Sequence, residues 1–394
     1  MISVEEAMNG LFALTSHVGD ELLPLREAAG RVLAENVRAA RAQPPFDASA
    51  MDGYALRFCD VAPGARLKVI GEAAAGHAFG GALGAGEAVR IFTGAPMPIG
   101  ADHVEIQEDV TAQDGFIDLR APATAPSFVR TRGGDFLEGA TLTYPRFLGP
   151  SEIALLAAMN VAKVKVAKRP EVAIISTGDE LVQPGETPRD DQIIASNGLA
   201  LDALLRQAGA APRLLPVARD TPESLASALR FARGADLIVT IGGASVGDHD
   251  LVRQLASDDG MERTFYKVAM RPGKALMAGR LNGIAHVGLP GNPVSSLACG
   301  HVFLAPMVRA MLGLGQKAAP RLSAPLAHGI ASNGPRAHYM RAKIEDGALH
   351  IADQQDSSLL SVLAGSNALA IRAPHDPPRA KGAMLEYLPL GLGA

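Results

Sequence analysis

Between residues 171 and about 313, short fully apolar runs alternate with stretches whose leucines and valines recur at helical spacing. Continuous runs of four to six apolar residues mark strands buried on both faces, and a three-to-four-residue apolar period marks helices packed on them. The pattern predicts strands at 172–175, 214–217, 236–241, 265–270 and 284–287. It predicts helices at 197–207, stopped by Gly209, at 221–233, opened by Thr221-Pro222, and at 248–257. A last helix has Pro293 as its first residue after Asn292. Strands and helices in this order imply a central doubly wound, mostly parallel α/β domain.

The flanking chain has other textures. Residues 4–14 and 26–33 read as two helices joined by a proline-containing link, with Ser3 and Glu6 spaced as a capping box. Residues 45–140 are rich in Gly and Pro, with short β-prone runs, and read as a small β domain inserted in the N-terminal segment. Residues 151–159 read as a helix, and 318–394 return to short alternating strands. The expected fold is therefore multidomain, α/β plus β. Its divisions are 1–44 with 141–168, 45–140, 169–317 and a C-terminal β domain at 318–394. No internal repeat is evident.

Composition narrows the class. The 394 residues carry a net charge of −4 with no long basic run, which argues against a nucleic-acid footprint. Two cysteines, Cys59 and Cys299, exclude a disulfide framework. The acidic start Met-Ile-Ser-Val-Glu-Glu is not a signal peptide. No apolar run reaches the roughly 18 residues of a membrane span. The expectation is a soluble protein of the cytoplasm.

Chemistry gathers where the strands end. Ser176-Thr177-Gly178-Asp179-Glu180 follows the first strand, Asp220 the second, and Gly242-Gly243-Ala-Ser245-Val-Gly247-Asp248-His-Asp250 the third. Arg271-Pro-Gly-Lys274 follows the fourth, and Pro290-Gly291-Asn292-Pro293 the fifth. In doubly wound sheets these ends form one rim, where Glu180, Asp220, Asp248, Asp250, Lys267, Arg271 and Lys274 would converge. The 240–250 loop alone supports three readings. Its glycine turn before a helix suits an anion, and its two carboxylates then call for a cation between them and the ligand. A plainer alternative is a turn with Asp248 as a helix cap. The loop also fits the G-x-S-x-G elbow of serine hydrolases, with Asp250 and His286 downstream. Pro272-Gly-Lys274 lacks the rest of a Walker A motif, His103-Val-Glu105 lacks the Pro-Cys-x-x-Cys of zinc deaminases, and no G-x-G-x-x-G is present.

Six motifs, in order over the whole chain, carry a family resemblance. They are Pro45-Phe-Asp-Ala-Ser-Ala-Met-Asp-Gly-Tyr-Ala55, Phe92-Thr-Gly-Ala-Pro-Met-Pro98, Ser176-Thr-Gly-Asp-Glu-Leu181, Gly242-Gly-Ala-Ser-Val-Gly247, Arg271-Pro-Gly-Lys274 and Leu289-Pro-Gly-Asn-Pro293. Together they resemble the MoeA/gephyrin E-domain family, and the α/β domain resembles the molybdopterin adenylyltransferase fold. The resemblance implies molybdenum insertion: adenylylated molybdopterin and molybdate enter, AMP leaves in a Mg²⁺-dependent step, and molybdenum cofactor is released. It implies Mg²⁺ on Glu180, Asp220 and Asp250, few carboxylates plus substrate oxygens, as suits that hard ion. Thr177, Gly178, Asp179, Gly242, Gly243, Ser245, Gly247, Asp248, Lys267, Arg271, Lys274 and the Pro290–Gly291–Asn292–Pro293 turn are implied to bind the polyanionic substrate, with Arg130. Asp52, Thr93 and Asp135 are implied to act from the β domain, with Asp52 and Thr93 facing the partner's α/β domain in a homodimer. Contact with the adenylyltransferase and with acceptor molybdoenzymes is implied too, but no nucleic acid or membrane. Arg271 departs from a lysine common in relatives. The C-terminal segment matches most weakly, through Arg341 and Gln355-Asp-Ser357. An adenylyltransferase and a non-catalytic pterin carrier remain as alternatives.

Overall fold

The computed structural model describes residues 1–120, 123–242 and 261–391. The chain forms two compact units, Met1–Glu21 with Val166–Ala394, and Leu22–Lys165.

The first unit is built on a six-stranded sheet. Its order is Ala211–Leu214, Glu171–Ser176, Leu237–Ile241, Ile284–Leu289, Met277–Leu281, Met261–Tyr266. The first four strands are parallel, Met277–Leu281 runs opposite to them, and Met261–Tyr266 pairs antiparallel with Met277–Leu281. The three central strands are almost wholly buried, which explains their unbroken apolar runs. Successive side chains alternate across the sheet. Ala173, Ile175 and Ile238 pack beneath the Pro222–Phe231 helix through Leu225 and Ala228. On the opposite face, Gly198 of the Asn197–Ala208 helix lies against Ile174. Helices thus cover both faces, as a doubly wound sheet requires.

Several predicted elements move. The strand expected at 214–217 runs over Ala211–Leu214. Gly209, in the left-handed region at φ +103°, ends the preceding helix and turns the chain straight into the sheet. Pro212 is tolerated there because this is an edge strand. The expected 265–270 strand runs over Met261–Tyr266 instead. Met270–Arg271 leaves that sheet and pairs with Ala337–His338 of the C-terminal sheet. The helix expected at 248–257 lies outside the described residues.

Pro293–Met311 is one continuous helix with a π turn at Gly300–Leu304. Its length and composition would let it cross a membrane, but its most apolar window is 72% buried inside the protein, which makes it a core helix. Gly300 permits its close approach to the Asn197–Ala208 helix, since a Cβ there would lie 2.6 Å from Leu204. The Val4–Leu14 helix starts with the expected capping box, Ser3 and Glu6 each bonding the other's backbone N–H. The C-terminal sheet runs Met270–Arg271, Ala337–Glu345, Ala368–Arg372, Met384–Pro389, Leu322–Pro325.

The second unit contains a mixed six-stranded sheet ordered His103–Ile106, Gly53–Leu56, Glu87–Ile91, Arg66–Ala73, Phe116–Leu119, Val110–Gln113. Its core includes Leu56, Val89, Ile91, Val104 and Ile117. The predicted 26–33 helix is absent. A single 3-10 turn, Leu25–Glu27, is followed by Gly30 at φ +73° and the strand Val32–Leu33. Pairing of Val32–Leu33 with Arg146–Phe147 wins over the local helical pattern of 26–33.

Candidate active site

In the first unit, the carboxyl ends of the parallel strands open into a cleft of about 740 Å³. Thr177, Gly178 and Glu180 line it from the end of the Glu171–Ser176 strand, and Gly242 from the end of Leu237–Ile241. Asp220 and the Pro290–Gly291–Asn292–Pro293 turn complete its polar rim, and Ile193 and Ile194 form an apolar lip. The strand ends are tied together. Thr177 donates to the Ile241 carbonyl from its backbone N–H at 2.9 Å and its hydroxyl at 3.3 Å. Gly242 donates its N–H to the Leu289 carbonyl at 3.1 Å. That N–H belongs to the sheet and is not offered to an anion.

Two glycines here are required by geometry. Gly242 has φ +91°, and a Cβ would sit 2.8 Å from the Thr177 carbonyl oxygen. Gly178 has φ +146°, and a Cβ would sit 2.4 Å from Glu180 Oε2, so the carboxylate folds back over bare backbone. The 290–293 turn is held from both sides. Asn197 Nδ2 donates to the Gly291 carbonyl at 2.7 Å, and Asn292 Nδ2 donates to Ser357 Oγ at 3.0 Å. Ser358 also lines the cleft. The C-terminal segment therefore meets the cleft wall, although the sequence marks it only weakly.

The structure brings Glu180 and Asp220 to one cleft, both exposed. Asp179 does not line it; its carboxylate accepts the Asp220 N–H at 3.1 Å. Lys267, Arg271 and Lys274 do not line this cleft either. The Lys267 ammonium lies over the Tyr266 ring, 4.7 Å from its centre. Arg271 is exposed on the edge of the C-terminal sheet, and Lys274 is exposed beside the cleft residue Ala275. Gly243, Ser245, Gly247, Asp248 and Asp250 lie outside the described residues. Among the described residues no group of three or more His, Cys, Asp or Glu is suited to hold a metal ion. What they supply is the Glu180–Asp220 pair, which fits an ion that completes its shell with water and ligand oxygens. The hydrolase reading offers His286 as one example of its base. That ring is buried, with Nε2 3.1 Å from Thr240 Oγ1, and burial pushes its pKa down to about 4. A base acting near neutral pH needs a higher value, which argues against His286 in that role.

In the second unit, Asp52 Oδ1 accepts hydrogen bonds from the backbone N–H and the hydroxyl of Thr93, both at 2.7 Å. These two donors, the backbone one foremost, hold the Asp52 carboxyl below its ordinary range, with a smaller contribution from Arg90. Arg90 was not found from sequence. Its guanidinium lies over the Tyr54 and Phe92 rings at 5.0 and 4.8 Å, and donates to the Gly53 carbonyl and to Gln107. Tyr54 and Arg90 are brought together only by cross-strand pairing, which leaves no local trace in the sequence. Arg130 is exposed opposite Ala48, and Asp135 is exposed with its N–H on the Gln43 carbonyl.

Residues 2–160 match the family described as MoeA N-terminal region (domain I and II), and 323–390 match the MoeA C-terminal region (domain IV). Residues 173–310 match a probable molybdopterin binding domain. The chain belongs to the MoeA family. The MoeA-family relative named molybdopterin molybdenumtransferase in Nostoc sp. is 36% identical, over 94% of this chain and 90% of its own length. A protein of the same name in Haemophilus influenzae is 34% identical, over 87% of this chain and 84% of its own. The crystal structure of a molybdopterin biosynthesis MoeA protein from Pyrococcus horikoshii covers 99% of both chains, at TM-score 0.83 and 31% identity.

Proposed function

We propose that this MoeA-family protein is a molybdopterin molybdenumtransferase that takes adenylylated molybdopterin and molybdate and releases AMP and molybdenum cofactor. One observation carries the reading: Glu180 and Asp220 face the same cleft as the Pro290–Gly291–Asn292–Pro293 turn at a helix N-terminus. Paired carboxylates repel a polyanion unless a cation lies between, whereas a helix N-terminus attracts one. The pair therefore suits Mg²⁺, held by Glu180 and Asp220 and, by family resemblance, by Asp250. Bound there, Mg²⁺ supplies charge neutralisation and polarisation at phosphoryl oxygens. The chain's own residues bind and orient. The helix beginning at Pro293 presents its positive end to anionic oxygens, Ile193 and Ile194 offer apolar surface to a flat heterocycle, and Ser358 with the Asn292–Ser357 bond fixes the far wall. Lys267, Arg271 and Lys274 are proposed to serve the substrate from beyond this cleft.

Asp52 and Thr93 are proposed to act on the cleft of the second subunit of a two-fold dimer, the commonest closed assembly. The reading puts the protein in the cytoplasm, consistent with its two free cysteines. Incubation with adenylylated molybdopterin, Mg²⁺ and molybdate should yield AMP and metal-loaded cofactor in equal amounts. ATP consumption with bare molybdopterin would favour an adenylyltransferase instead, and binding without AMP release a carrier.

A further inference from the structure

The two cleft carboxylates are carried by exposed loops, and each loop is held by the neighbour of the other's carboxylate. Arg219, next to Asp220, donates from Nη1 to the carbonyl oxygens of Asp179 at 2.9 Å and Leu181 at 3.3 Å. Those carbonyls flank Glu180 on either side. In return, the Asp179 carboxylate accepts the Asp220 N–H at 3.1 Å. The remaining backbone joins the lattice: Gly178 N–H donates to the Ala218 carbonyl at 3.0 Å, and the Glu180 carbonyl accepts the Ile193 N–H at 2.8 Å. Arg219 itself is anchored by its N–H on Ser224 Oγ at 2.9 Å, in the first turn of the Pro222–Phe231 helix. Neither Asp179 nor Arg219 lines the cleft.

We infer that Arg219 and Asp179 are positioning residues that set the separation and direction of Glu180 and Asp220, and so the affinity of the site for Mg²⁺. The inference rests on the proposed metal role of Glu180 and Asp220. Partners that orient metal ligands in this way are typically worth about 10–100-fold in metal affinity. The exposed setting puts this brace at the lower end.

Charge and geometry make opposite predictions here, which gives the test its power. By charge alone Arg219 repels a cation, so Arg219→Met would tighten Mg²⁺ binding. By geometry it frees the Asp179 and Leu181 carbonyls, and Mg²⁺ binding weakens by about tenfold. Asp179→Asn keeps an acceptor for the Asp220 N–H, whereas Asp179→Ala removes it. Mg²⁺ would be titrated into the full-length protein by calorimetry, and the Mg²⁺ dependence of AMP release measured in parallel. Expected are weaker Mg²⁺ binding in Arg219→Met and Asp179→Ala, near-normal binding in Asp179→Asn, and AMP release by Arg219→Met at saturating Mg²⁺ close to the parent protein. Unchanged or tighter Mg²⁺ binding in Arg219→Met overturns the brace, as does equal weakening in Asp179→Asn and Asp179→Ala, which would make Asp179 act by charge. Glu180→Gln in the same titration separates the two levels. If Glu180→Gln binds Mg²⁺ normally, the metal reading itself has failed and the inference falls with it.

Discussion

At Asp52 two donors from one residue converge on a single oxygen, and this is a statement about protonation. A carboxylate held below its ordinary range keeps its charge to lower pH, and any activity that needs the charge fails only as pH falls through the lowered value. Thr93→Val removes the hydroxyl donor and leaves the backbone one. Its acid limb of AMP release against pH should move upward, toward the ordinary carboxylate range. An unmoved limb would separate Asp52 from the rate-determining protonation. At the cleft itself, Glu180→Gln keeps shape and loses charge. AMP release should drop about a hundredfold or more, the kinetic worth of a few kcal/mol of electrostatic stabilisation. Substrate affinity should change far less, and near-normal turnover at high Mg²⁺ would remove Glu180 from metal binding.

At the scale of elements, the cleft depends on strand ends that approach one another closely. Gly242 and Gly291 illustrate two different demands. A Cβ on Gly242 meets a carbonyl oxygen at 2.8 Å in a left-handed backbone, so Gly242→Ala should cost about 2 kcal/mol or more in denaturant unfolding. A Cβ on Gly291 would meet only Gly242 Cα, at 3.6 Å, so Gly291→Ala should unfold within about 0.5 kcal/mol of the parent. Equal stability losses would mean that backbone conformation is not what selects Gly242. The sheet also carries an acid sensitivity. Burial holds His286 at about 4, against about 6.5 in an unfolded chain. The unfolded chain therefore binds the extra proton in that window. Stability is complete above about pH 6.5 and is lost as pH falls toward 4. Half-buried His301 and buried His338, both also down to about 4, add to the same loss. In His286→Gln the fall in unfolding free energy between pH 7 and 5 should be smaller than in the parent; an identical fall would clear His286.

At the scale of the molecule, the proposed chemistry divides between units. Glu180 and Asp220 belong to one, Asp52 and Thr93 to the other. If a dimer pairs the second unit of each chain with the cleft of its partner, Asp52→Ala and Glu180→Ala proteins should each be inactive alone. Mixed under conditions that exchange subunits, they should recover activity at one of two sites in each mixed dimer. Exchange without recovery would show that a single chain builds the whole site.

The sequence by itself determined the type of most strands and helices in the 171–313 segment, because strands buried on both faces and helices packed on them impose strict apolar periods. It marked Glu180, Asp220 and the Pro290–Pro293 turn as well, since strand ends of such a sheet form one rim. Other features were decided only by tertiary structure. Residues 26–33 read as a helix yet end in a strand pair, because cross-strand partners more than a hundred residues away outweigh local propensity. Arg271 joins the C-terminal sheet through a partner, His338, that no local pattern announces. The family resemblance implies that Asp179 binds substrate. Its carboxylate turns toward a backbone N–H forty-one positions away, a choice that depends on two loops meeting in space and has no periodic trace in the chain.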